Sequence, residues 1–156
     1  DSADFLDSYR AKATEKWEKA ILQLEQRDAS ERDPADAILF IGSSSIRRWD
    51  SMTLDMAPYR TIQRGYGGAK YSDVAVYAER LIRPHRYRAL VAFVGNDVSG
   101  KPEDHTPDEV ERLVRYLVGV SQQHQPDAPV LLIEITPTEK RLEVWPRILE
   151  VYARLR

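Results

Sequence analysis

Three short polar stretches, each directly after an apolar run, hold the residues whose types and spacing could do chemistry. The first is Gly42-Ser43-Ser44-Ser45, which ends the run Ala37 to Ile41. A serine hydroxyl attacks a carbonyl only with a base to take its proton and donors to hold the developing oxyanion. A helix start needs one capping residue, so three consecutive serines make one of them a candidate nucleophile. The second stretch, Gly65-Tyr66-Gly67-Gly68-Ala69-Lys70, can present a bare glycine N–H to a substrate. The third opens with Gly95-Asn96-Asp97 after the apolar Ala89 to Val94, where Asn96 can aim a side-chain amide. A nucleophile's own N–H, a glycine N–H and an Asn amide together would make an oxyanion hole, with each missing donor costing about 10²–10³ in rate.

Each stretch also has a plainer reading. The serines could form a helix-cap cluster, Gly65 and Gly67 a tight turn, and Asn96-Asp97 a turn and cap pair. Asp97 reads best as structural support for its loop. Arg64 fits an ion pair as well as a substrate contact. Trp17, Trp49 and Trp145 read as packing residues. Gly95 to Lys101 also matches the opening of a phosphate-binding loop, G-x-x-x-x-G-K. The next residue there must be Ser or Thr at a helix start, and here it is Pro102.

The elements that must position these groups follow from periodicity. Residues 4 to 27 read as a helix with Phe5, Leu6, Tyr9, Ala13, Trp17, Ala20, Ile21 and Leu24 on one side, Asp4 or Asp7 serving as its cap. Strands are predicted at 37–41, 59–64, 89–94 and 130–135. Helices are predicted at 44–49, 72–82, 107–124 and 142–156, the third capped by Thr106 with Glu109 three residues on. Strands alternating with helices imply a parallel sheet covered on both faces. Right-handed crossovers then bring the loops at 43–45, 65–70, 95–101 and 136–140 to one rim.

Composition places limits on the function. The 156 residues suit one domain, with 42% hydrophobic and 31% charged residues and a net charge of −2. That charge argues against a nucleic-acid surface, and no apolar run is long enough for a transmembrane segment. The absence of cysteine removes disulfides and thiolate chemistry and is compatible with any compartment. A start at Asp1 rather than Met is compatible with a removed leader, hence with an extracytoplasmic protein.

At these residues the sequence resembles the SGNH (GDSL-like) hydrolases, esterases and lipases with a flavodoxin-like sheet. Gly42-Ser43-Ser44 stands where that family has Gly-Asp-Ser, as in a branch carrying Gly-Ser-Ser-Ser followed by Trp. Gln63-Arg64-Gly65-Tyr66-Gly67-Gly68 matches the second block, with Gln63 in place of Asn. Val94-Gly95-Asn96-Asp97 matches the third, with Val94 in place of Gly. The resemblance implies a three-layer α/β/α sandwich with strand order 2-1-3-4. It implies an acyl-enzyme on Ser44 and an oxyanion hole from Ser44 N–H, Gly68 N–H and Asn96. The substrate would be a small-molecule carboxylic ester, with short acyl groups such as acetyl favoured because no apolar lid is visible. No metal or organic cofactor is needed.

The family's base is the His of an Asp-x-x-His motif after a fifth strand, and no such motif occurs in these 156 residues. His85 and His124 end helices on the edge opposite the rim, whereas His105 lies in a rim-side loop. The resemblance therefore implies a hydrolase of roughly 200 residues whose fifth strand, last helix and base follow residue 156. The alternative is a non-catalytic binding domain that keeps the hydrolase fold.

Overall fold

The computed structural model describes residues 3–156. Its centre is β1 (Ile38–Gly42), buried over four of its five residues, as a run of consecutive apolar side chains requires in a parallel sheet. β2 (Thr61–Gly65) pairs with one side of β1 and β3 (Ala89–Phe93) with the other; β4 (Val130–Leu132) pairs with β3. All pairs are parallel, and the order is β2-β1-β3-β4, as expected.

Register fixes the rim. Gly42 lies opposite Gly65 on one side and Phe93 on the other, so three chains leave the sheet at the same level. Ser44, Gly68 and Asn96 follow two or three residues later. The chain turns one way after β1 and the other way after β3, which opens a crevice between their C-terminal ends.

The helices are α1 (Asp7–Ser30), α2 (Ser44–Arg47), α3 (Met52–Asp55), α4 (Tyr71–Val76), α5 (Ala78–Ile82), α6 (Pro107–His124) and α7 (Trp145–Leu155). Short 3₁₀ turns cover Ala3–Leu6 and Glu139–Arg141. Alternation along the strands sorts the core. Leu39, Ile41, Leu90 and Ala92 join a large cluster with residues of α1, α4, α5, α6 and α7. Phe40, with Ile38, Val91 and Phe93, meets only Ile46, Met52, Trp49 and Met56 on the other face. Burying each such aliphatic side chain contributes about 1.5–3 kcal/mol. The two helical layers are thus unequal. The second consists of the one-turn helices α2 and α3 and leaves Leu131 half exposed.

Several boundaries differ from the sequence reading for physical reasons. α1 runs on to Ser30, because Arg27 pairs with Glu31 at 2.9 Å and Asp28 with Arg64 at 2.8 Å, which holds the last turn. Asp7 does not cap it: Leu6 occupies the cap position without a side-chain bond, and Asp7 pairs with Arg10 instead. The side chain of Asp4 lies outside the described residues. The predicted 72–82 helix is divided at Tyr77, whose hydroxyl is held by Glu18 at 2.9 Å. α6 matches its prediction, with Thr106 accepting from the Glu109 N–H. Among the described residues, no helix is long and apolar enough to cross a membrane.

Candidate active site

Gly42 allows the first rim loop to form. Its φ is +147°, and a Cβ there would overlap the Phe93 carbonyl oxygen, so only glycine lets the chain turn against β3. Ser43 follows, buried, donating its N–H to the Phe93 carbonyl at 3.2 Å and receiving Ile46 N–H and Arg47 N–H at 3.1 Å. Ser43 thus sits at the cap of α2, but its side chain makes no capping bond. Ser45 faces solvent. Ser44 alone of the three lines a groove, one of about 520 Å³ shared with Trp17, Arg47, Tyr66, Gly67 and Gly68. As the first residue of α2, its N–H has no helical carbonyl one turn earlier to bond. α2 is a single turn, so the free N–H rather than a long-helix dipole is what it offers an anion.

The second loop leaves β2 at Gly65, which is the strand's last residue rather than part of the turn; Gly67 and Gly68 make the turn. Gly68 has φ +77°, is exposed, and carries no Cβ that would meet the Trp17 ring at 3.3 Å. Gln63 Nε2 donates to the carbonyls of Ile46 and Trp49, which ties β2 to the turn that carries Ser44. Arg64 is a structural residue. It is 1% exposed, with Nε 2.8 Å from Asp28 and Nη2 3.3 Å from Glu31.

The third loop is fastened to the second. Asn96 donates one amide hydrogen to the Ala69 carbonyl at 2.9 Å, which leaves the other free. Buried Asp97 accepts the Tyr71 N–H at 2.9 Å and lies 2.8 Å from His105 Nδ1. Burial pushes the Asp97 carboxyl up, while the bonds from His105 and Tyr71 pull it down; the balance is a raised value. Arg141, from the fourth loop, donates to the Gly95 carbonyl and, at 3.1 Å, to that of Val98. The phosphate-loop lookalike is filled by its own chain: Asp104 takes the N–H groups of Ser99 and Gly100 at 2.8 and 2.7 Å.

Gly68 is the shared wall of two cavities. One is the Ser44 groove. The other, about 820 Å³, is lined by Asn96, His105 and Lys70 among others. His105, bonded to Asp97, therefore faces the neighbouring cavity and does not line the groove of Ser44. His85 and His124 lie at the opposite edge, as expected: His85 is buried between Asp33 and Asp28, and His124 Nε2 is 2.6 Å from the His85 carbonyl oxygen. A larger cavity of about 1190 Å³ opens near that edge, far from the three rim loops and lined by Pro84, Tyr87 and His124 among others. Trp49 and Trp145 pack against the core, whereas Trp17 packs and also walls the groove. Its helical spacing in α1 marks it as apolar and gives no sign of that second position.

Comparison with solved structures gives 16% identity and a TM-score of 0.71 to a candidate platelet activating factor from Streptococcus pneumonia, over 99% of this chain and 73% of that one. A GDSL-like lipase from Bacteroides thetaiotaomicron matches at 14% identity and TM-score 0.65, over 86% and 68%. The chain has the GDSL-like hydrolase fold. An acetyl xylan esterase from Geobacillus stearothermophilus shares that hydrolase fold at 16% identity and TM-score 0.54, over 78% of this chain and 72% of that one. No protein-family model matches the sequence. Comparison with curated proteins gives no match.

Proposed function

We propose that the protein is a serine esterase that cleaves carboxylic esters, short-acyl or acetyl esters first among them, through an acyl-enzyme on Ser44. The observation that carries this reading is the common rim. Ser44, Gly68 and Asn96 leave three neighbouring strands at one level, with Gly68 walling both the Ser44 groove and the Asn96 cavity. The hydrolase fold, and the acetyl xylan esterase among its similar structures, support it.

Ser44 Oγ adds to the ester carbonyl carbon, and the carbonyl electron pair moves to oxygen. Ser44 N–H, Gly68 N–H and the free amide hydrogen of Asn96 donate to that oxyanion. A base takes the hydroxyl proton and returns it to the departing alcohol. Water then repeats the addition on the acyl-enzyme and releases the acid. The base in this reading is a histidine outside these 156 residues, because none of the three present lines the Ser44 groove. The Asp97–His105 pair instead supports the Asn96 loop.

The same lack of a histidine at Ser44 favours a second reading, a binding domain that keeps the hydrolase fold without catalysis. Steady-state hydrolysis of p-nitrophenyl acetate separates the two. The esterase reading expects turnover that Ser44→Ala abolishes; turnover equal in wild type and Ser44→Ala contradicts it.

A further inference from the structure

The groove that holds Ser44 is cationic. Arg27, Arg47 and Arg48 line it, and no aspartate or glutamate does. Arg27 is engaged elsewhere, by Glu31 at 2.9 Å and the Gln63 carbonyl at 3.3 Å. Arg47 and Arg48 have no carboxylate within 4 Å among the described residues, although the whole chain carries a net charge of −2. The Arg47 side chain is exposed and lies beside the second rim loop. Its guanidinium lies against the Gly67 turn, where a Cβ would stand 3.1 Å from Nη2, 3.2 Å from Cζ and 3.5 Å from Nε. Glycine at 67 thus makes room for a planar cation beside the nucleophile, three residues along the chain from it.

We propose that Arg47, assisted by Arg48, binds an anionic oxygen group on the ester, so that the preferred substrates are acyl esters bearing a carboxylate or a phosphate. The inference rests on the esterase reading for Ser44. A guanidinium presents parallel N–H donors that match two oxygens of either anion. With no acid in the groove, nothing on the protein competes for those donors. Apolar contact from Trp17 and Leu24 is available to the carbon skeleton between the ester and its anion.

The test compares three acetyl esters on the purified protein: 4-acetoxybenzoate, 4-acetoxyphenyl phosphate and neutral methyl 4-acetoxybenzoate. Wild type should favour at least one anionic ester over the neutral one by about tenfold or more in kcat/KM, the size expected for a charge-assisted bond. That ratio should fall towards one in Arg47→Gln and survive largely in Arg47→Lys. In Gly67→Ala it should change little, since the new methyl asks the flexible guanidinium to give by only a few tenths of an ångström. The better anion distinguishes carboxylate from phosphate recognition. Binding of 4-acetamidobenzoate and 4-acetamidophenyl phosphate, by calorimetry on wild type and Arg47→Gln, provides a readout independent of turnover. Turnover without anion preference overturns the proposal and leaves the esterase reading standing. Arg47-dependent binding with neither turnover nor acetylation of Ser44 upholds the anion site and overturns the esterase reading. Neither binding nor turnover overturns both.

Discussion

Ser44 is distinguished from its two neighbours by placement alone. Ser43 is consumed by the turn, Ser45 points to solvent, and Ser44 opens on the groove. The residue types and their order after three strands were readable from the sequence because each signal is local: an apolar run, then a glycine, then a polar group. The contacts that aim them were not. The Asn96–Ala69 bond, the Asp97–Tyr71 bond and the contact of Trp17 with Gly68 join residues 26 to 51 positions apart, and no periodicity encodes them. Asn96→Ala should lower kcat by about 10²–10³ with little change in KM, since in the proposed mechanism the lost donor acts on the oxyanion. Steady-state kinetics on p-nitrophenyl acetate checks this, and a change confined to KM contradicts it. Gly68→Ala should cost about 1–2 kcal/mol, because φ +77° places alanine in the left-handed region and its methyl meets Trp17. Urea unfolding of the variant measures that loss.

Among the elements, β1 and its exit govern the site. Gly42→Ala should destabilise by more than about 3 kcal/mol, since the methyl has no room against the Phe93 carbonyl and the backbone cannot shift without unpairing β3. A variant with wild-type unfolding midpoint would contradict that account of the rim. Arg64 is the other pivot, joining β2 to the last turn of α1 through Asp28 and Glu31. Arg64→Met leaves Asp28 largely buried, with His85 rather than a permanent cation beside it, and should cost about 3 kcal/mol in urea unfolding. A loss under about 1 kcal/mol would show the pair to be dispensable. The existence of four parallel strands was legible because buried runs and alternation with helices constrain it strongly, although the predicted 130–135 strand ends at Leu132; the order 2-1-3-4 came from the resemblance to the hydrolase family. The extension of α1 and the break at Tyr77 were not, since they involve partners distant in sequence, Arg64 and Glu18.

For the whole molecule, the ion pairs of α1, to α5 and within its own last turn, shape the acid response. Hydrogen bonds from Arg80 hold Glu18 and Glu25 below the ordinary glutamate value of 4.5, and a bond from Arg27 does the same for Glu31. Carboxylates with lowered folded values contribute stability that is present above their unfolded values and is lost as pH falls through the folded ones. Buried Asp97 runs the other way, its raised value adding stability on acidification, but it is one group against six, since Asp55, Asp104 and Glu109 are lowered as well. Thermal unfolding should therefore show a lower midpoint at pH 3.5 than at pH 6. Arg80→Gln should flatten that dependence by returning Glu18 and Glu25 towards their ordinary values; an undiminished slope would assign it elsewhere.

The most direct measurement of the central claim is acyl-enzyme trapping. The protein is mixed with p-nitrophenyl acetate, quenched within the burst, and digested for peptide mass analysis. The account expects a burst of p-nitrophenol and an acetyl group on Ser44, absent from Ser44→Ala. Acetylation without continued turnover would show that the nucleophile and oxyanion hole lack a base for deacylation. Turnover with no acetyl-Ser44, or the same burst in Ser44→Ala, would contradict the assignment of Ser44.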